Sequence, residues 1–133
     1  MATGYIKIIG SSVDIKLTNG TVWMTVNEIA DLFGVNSYTI NNCLKGIFKD
    51  KLLIENKVTK EYRYACLSNV ECIRTYYNLD VIIFLSFKIQ TIYTKAFREW
   101  VFRLFHKSNH INKIYGRLID FESIIKENSF SLN

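Results

Sequence analysis

Residues 25–48, TVNEIADLFGVNSYTINNCLKGIF, leave this chain few ways to fold. Thr25 and Glu28 make a capping box: the threonine oxygen accepts from an orphan amide, and the glutamate returns to the cap's own N–H. Ile29, Ala30 and Phe33 follow at helical spacing. Gly34 supplies a left-handed turn residue, and Val35 plugs the elbow between two helices. Ile40, Cys43 and Leu44 anchor the second helix by its inner face, and the small Ala30 lets the helices cross closely. The spacing predicts helices over residues 25–33 and 37–47 in a helix-turn-helix, with Ile40 buried and Asn41 exposed. The residues left outward on the second helix are Asn36, Ser37, Tyr38, Asn41, Asn42 and Lys45. None is a carboxylate, and several can donate to phosphates or base edges. An ordinary helical hairpin packing a core would carry the same pattern.

The flanks extend this core. Residues 13–17 alternate apolar and polar, Asn19-Gly20 is a strong two-residue turn signal, and residues 22–24 return, predicting a hairpin that enters the first helix. After the second helix, residues 50–60 form a charged connection. Residues 61–66 and 71–77 predict a second hairpin across residues 67–69, carrying Arg63 and Arg74. A basic hairpin in that position is placed as a wing that touches the DNA backbone; a plain sheet edge with charges toward water would read the same. Asn78 caps a further helix with Leu79, Ile82, Ile83 and Phe87 on one face. Residues 94–106 predict a helix whose core stripe is Phe97, Trp100, Val101, Leu104 and Phe105. Beyond Lys107-Ser108-Asn109, Ile111, Ile114, Tyr115, Leu118 and Ile125 recur at helical spacing over residues 111–126. That amphipathic segment either folds back or pairs with a second copy. The expected organisation is a DNA-binding domain over residues 1–107 and an amphipathic helix over residues 108–133, for dimerisation or leading to a further domain. The expected fold class is α+β: a winged or modified helix-turn-helix with two β-hairpins and a helical C-terminal half.

Composition limits the function classes. With 133 residues, 49% hydrophobic and 14% aromatic, the chain has material for one well-filled core, which argues against disorder. A net charge of +5 and a pI of about 9.1 suit a polyanionic partner. No apolar run reaches the length of a signal peptide or a membrane span; the longest, residues 79–87, is interrupted by Asp80 and Ser86. Cys43, Cys66 and Cys72 are an odd number without metal-type spacing, so reduced thiols in a cytoplasmic protein are expected.

Little else suggests chemistry. His106 and His110 stand four apart, but no third ligand lies nearby and Ser108-Asn109 breaks the helix between them, so no metal is expected. Asp80 suits the dipole at a helix start, Glu28 belongs to the cap, and Asp31 is a solvated acid. Arg98 beside Trp100 is either a ligand-binding pair, an arginine stem covering core aromatics, or a partner of an acid such as Asp80. Cys43 reads as core. There is no Gly-rich phosphate loop, no Ser/His/Asp or Cys/His order and no carboxylate cluster, so no enzyme, cofactor or small-molecule substrate is expected.

The order TVWMTVNEIADLFGV, a polar helix running into LKGIFKD, then YYNLDVIIFLSFKIQ and FREW resembles the RhuM-type family of bacterial proteins. That family is associated with virulence and DNA binding and is related to phage antirepressor domains. The resemblance covers residues 22–105, and residues 76–83 with Phe97-Arg98-Glu99-Trp100 are its most specific parts. Where the family usually has Gly-Tyr-Arg-Val-Asn-Ser, this chain reads Ser86, Phe87, Lys88, Ile89, Gln90, Thr91. Where the family tends to carry an arginine early in the second helix, this chain has Asn36 and Ser37.

Together these features lead us to expect a transcriptional regulator of mobile-element or phage type, binding double-stranded DNA as a homodimer. The second helix would lie in the major groove. Asn41 and Asn42 are the candidates for base edges, Ser37, Tyr38 and Lys45 for phosphates, and Arg63 or Arg74 for the flanking backbone. The alternatives are an antirepressor-like adaptor that binds protein without reading DNA, or an accessory subunit of a restriction or toxin system.

Overall fold

The computed structural model describes residues 3–107, and they form an α+β fold. In chain order the elements are β1 (Tyr5–Ile9), β2 (Ser12–Lys16), α1 (Val26–Phe33), α2 (Ser37–Lys49), the single-turn α3 (Glu55–Val58), β3 (Thr59–Ala65), β4 (Glu71–Tyr77), α4 (Leu79–Lys88) and α5 (Ile92–Lys107). β1 pairs with β2 and β3 with β4, each as a two-stranded antiparallel sheet. His110 and the amphipathic stretch at residues 111–126 lie outside the described residues, as do the side chains of Phe105 and His106.

α4 is the centre of the core. Leu79 and every residue from Val81 to Phe87 are buried, so the helix is enclosed all round rather than on the single face that Leu79, Ile82, Ile83 and Phe87 predict. Ser86 sits inside because its hydroxyl donates to the Ile83 carbonyl at 2.6 Å. Ile29 and Phe33 of α1, Ile40, Leu44 and Ile47 of α2, and Phe97 and Val101 of α5 complete the same cluster. Phe33 meets Phe97 edge-on, with ring centroids 5.7 Å apart. Each such side chain contributes about 1.5–3 kcal/mol on full burial. In α5, Trp100 and Leu104 are half-buried where the stripe predicted core.

The α4–α5 corner is held by polar side chains. Arg98 donates to the carbonyls of Ser86 and Ile89 and to Oε1 of Gln90, which satisfies orphan acceptors at the end of α4 and pins the two helices together. Thr91 donates to the Phe33 carbonyl at 2.9 Å, tying this corner to the end of α1. Thr94 is fully buried and donates to the Ile89 carbonyl at 2.6 Å.

The first hairpin differs from expectation. Its turn is Gly10-Ser11, with Ile9 opposite Ser12 and Tyr5 opposite Lys16. Asn19 and Gly20 do turn, both at positive φ, and Thr18 and Thr21 exchange backbone bonds across them, but the pairing stops there. The chain from Val22 leaves for another partner: Met24 exchanges two backbone bonds with Tyr77 at 2.8 and 2.9 Å. The turn signal was right locally, and long-range pairing with β4 outcompeted a strand return.

The second hairpin follows its predicted turn. Ser68 and Asn69 both take positive φ, and Cys66 and Val70 close the turn. This register brings Cys66 and Cys72 to a Cα separation of 5.7 Å, and they form a disulfide. That corrects the expectation of three reduced thiols; Cys43 alone is free among the described cysteines.

Candidate nucleic-acid interface

The two helices that carry the candidate residues are fixed by local chemistry. The Thr25 hydroxyl accepts from the Glu28 amide at 3.2 Å, and the Glu28 carboxylate accepts from the Thr25 amide at 3.0 Å, completing the capping box. α1 ends at Gly34, with φ 69° and ψ 36°. The Val35 amide then donates to the Ala30 carbonyl at 3.0 Å, the long bond of a Schellman ending. Ala30 is 3% exposed and is buried on the same face of α1 as Ile29 and Phe33. Ile40 is fully buried and Asn41 exposed, which sets the register of α2 as its spacing predicts.

The six candidates on α2 divide into two groups. Asn36 is the N-cap: its Oδ1 accepts from the Thr39 amide at 2.9 Å and from the Thr39 hydroxyl at 3.0 Å. Ser37 donates to Oδ1 of Asn27 on α1, joining the helices. These two side chains hold the turn. Tyr38, Asn41, Asn42 and Lys45 are exposed and line one side of a groove of about 460 Å³. Leu44 and Phe48 form its floor with Tyr77, and Glu55 of α3 stands at its rim. α2 itself contains no acid, so Glu55 is the groove's sole carboxylate among its lining residues. Burial raises the Tyr77 phenol above its ordinary range, and the negative charge of Glu55 adds to the shift. On the inner side of α2, burial raises the Cys43 thiol, opposed by the nearby Lys88 charge.

The hairpin arginines do not act together. Tyr62 lies opposite Arg74, and Arg63 opposite Ile73, so Arg63 and Arg74 project from opposite faces of the β3–β4 sheet. Arg63 is paired with Glu71 at 2.8 Å and lies 3.9 Å from Glu61. Its charge is therefore largely answered within the hairpin. Arg74 sits with its guanidinium 5.0 Å from the Tyr64 ring centre, and the Tyr76 and Tyr64 hydroxyls raise its already high pKa. Tyr77, which lines the α2 groove, shares the face of Arg63.

The sequence reading did not single out Trp23, Lys60, Tyr62, Tyr64 or Tyr76. The signal was present as strand alternation, with Lys60, Tyr62 and Tyr64 two apart on β3 and Arg74 and Tyr76 two apart on β4. Among the described residues no group of three or more His, Cys, Asp or Glu side chains could hold a metal ion, and no helix is long and apolar enough to cross a membrane. Compared with protein-family models, with curated proteins and with solved structures, the chain matches none.

Proposed function

We propose that this chain is a DNA-binding module of winged helix-turn-helix type, similar to the RhuM family, which places α2 in the major groove of double-stranded DNA and acts as a homodimer. Regulation of transcription in a mobile element or phage is the role that fits it. One observation carries the reading: α2 turns Tyr38, Asn41, Asn42 and Lys45 to solvent without a carboxylate among them, while Ile40, Leu44 and Ile47 fix its opposite side in the core. The Asn41 and Asn42 amides offer a donor and an acceptor at once, the pairing that adenine presents in the major groove. Lys45 follows Asn41 by four positions and shares its side, suited to a phosphate.

Fluorescence polarisation with duplex DNA at two salt concentrations tests this. Asn41→Ala is expected to cost about 1–3 kcal/mol on a preferred site and to relax discrimination at one base pair. Lys45→Ala is expected to weaken all sequences alike and to lower the salt slope by about one. Both side chains are exposed, so neither variant should move the thermal midpoint.

A protein-binding adaptor is the second reading. It is favoured by Glu55 at the rim of the groove and by the pairing of Arg63 with acids, both of which oppose phosphate contact. If the folded Asn41→Ala and Lys45→Ala variants retain full duplex affinity, this second reading replaces the first.

A further inference from the structure

We propose that the face of the β3–β4 hairpin opposite the α2 groove is a stacking platform for single-stranded nucleic acid. The register assembles it: Lys60, Tyr62 and Tyr64 stand across from Tyr76, Arg74 and Cys72. Met24 pairs with Tyr77, which brings Trp23 alongside the base of the hairpin on this same side, with the Lys60 ammonium 4.3 Å above its ring. The hairpin sorts its charges. Glu61, Glu71 and Arg63 occupy the other face as an ion-paired set, whereas the platform face carries Lys60 and Arg74 and no strand carboxylate.

The occupant follows from that sorting. Each nucleotide combines a flat base with an anionic phosphate, and this face alternates flat rings with cations and carries no strand carboxylate, since Glu61 and Glu71 point to the other side. The Tyr62 and Tyr64 rings are within 16° of parallel with centroids 6.3 Å apart, so they present their faces in one direction. Tyr62 is half exposed, and Lys60 and Arg74 are exposed, so the Tyr62 ring and both charges are open together, while Arg74 lies over one face of Tyr64 and Lys60 over one face of Trp23. A duplex could use only the charges, because its bases are already stacked and its edges lie within the grooves. An unpaired strand can use the rings as well, and every base has a π-face, so the platform is tolerant of sequence. The disulfide joins Cys72, directly across from Tyr64, to Cys66, two residues past Tyr64, and so holds the register that aligns the rings. None of this depends on α2 reading DNA.

The test is fluorescence polarisation of end-labelled oligo-dT and oligo-rU of about 12 nucleotides, a length within the usual footprint of such platforms. The full chain and each variant are first checked for fold by circular dichroism. Tyr62→Ala and Tyr64→Ala are each expected to weaken binding by about 5- to 100-fold, and Tyr62→Phe to retain it. Arg74→Gln should weaken it and lower the salt slope by about 0.7, whereas Arg63→Gln on the opposite face should change affinity less than about two-fold. Asn41→Ala and Lys45→Ala should leave single-strand binding intact, so failure of the α2 reading and failure of this one are separable. Preference for oligo-rU over oligo-dT would assign the platform to RNA, and the reverse to DNA. No binding of either oligonucleotide by the folded chain overturns the proposal. So does unchanged affinity in folded Tyr62→Ala and Tyr64→Ala, or equal displacement by duplex, which would reduce the face to a phosphate-binding surface.

Discussion

Gly34 is where a single methyl group tests the geometry that orients α2. Its φ of 69° lies in the left-handed region, and an added Cβ would approach two ring carbons of Tyr93 to 2.9 Å. Gly34→Ala therefore meets two separate costs. The backbone component for an L-residue in this conformation is about 1–2 kcal/mol. Tyr93 is 38% exposed and can swing aside, at about 0.5–1.5 kcal/mol for a displaced rotamer. The alanine also restricts the unfolded chain, which returns roughly 0.4–1 kcal/mol. The net expectation is a loss of about 1–2 kcal/mol, read by urea unfolding at constant slope. In a Tyr93→Ala background the ring contact is gone, so the same change should cost about 1 kcal/mol or less, from the backbone alone. Gly34→Asn should fall between the two, because asparagine tolerates the left-handed region but keeps the Cβ. A Gly34→Ala variant within about 0.5 kcal/mol of the parent would refute the left-handed ending of α1. Equal losses in both backgrounds would refute the contact with Tyr93.

The remaining expectations concern polar groups. Cys43 and Tyr77 hold their protons more tightly folded than unfolded, so their contribution to stability is complete at neutral pH and is lost as pH rises past their ordinary values near 9 and 10. Urea midpoints should drop between pH 8 and pH 11, Cys43→Ser with Tyr77→Phe should flatten the decline, and an unchanged profile would contradict the burial of both groups. Arg98→Ala removes a charged donor from three acceptors and should cost about 1.5–3 kcal/mol, with Arg98→Lys recovering less than half because it lacks the fork. A loss below about 0.5 kcal/mol would mean that water replaces the guanidinium at the end of α4. Reducing Cys66–Cys72, or replacing both by serine, should lower stability by at most about 2.5 kcal/mol, the entropy of closing so short a loop. Amide exchange should quicken in residues 66–70, and protection equal to that of the oxidised chain would show that the turn is held without the bond.

What the sequence made legible was whatever local rules control. The capping box at Thr25, the left-handed Gly34, the burial of Ile40 beside an exposed Asn41, and the turn at Ser68-Asn69 each depend on a few neighbouring residues. Long-range partners were not legible in the same way. Asn19-Gly20 announced a turn correctly, yet nothing nearby revealed that Met24 would pair with Tyr77. The enclosure of α4 was partly visible in its unbroken apolar run, but which elements surround it is a matter of topology. Arg98 was expected to cover aromatic surface or meet an acid, and its observed acceptors include backbone carbonyls that have no sequence signature. The assignment of Arg63 and Arg74 to opposite faces was legible without being drawn. Counting alternation outward from the turn places them on opposite faces without any structure.

The long-range ties near α4 also say something about the order in which the chain acquires its shape. The Leu79 amide donates to the Thr21 hydroxyl across 58 positions, and Thr91 reaches Phe33 across another 58. Closing loops of that length costs roughly 3–4 kcal/mol each before any contact repays it. The α1–α2 pair and the β3–β4 hairpin involve short separations and can form early, but the buried side of α1 and α2 has nothing to rest on until Val81–Phe87 arrives. During synthesis, Ile29, Phe33, Ile40 and Ile47 emerge from the ribosome well before α4 does. The nascent N-terminal half therefore passes through a period with its future core facing water, and its exposure to aggregation is greatest until residue 87 is clear of the tunnel.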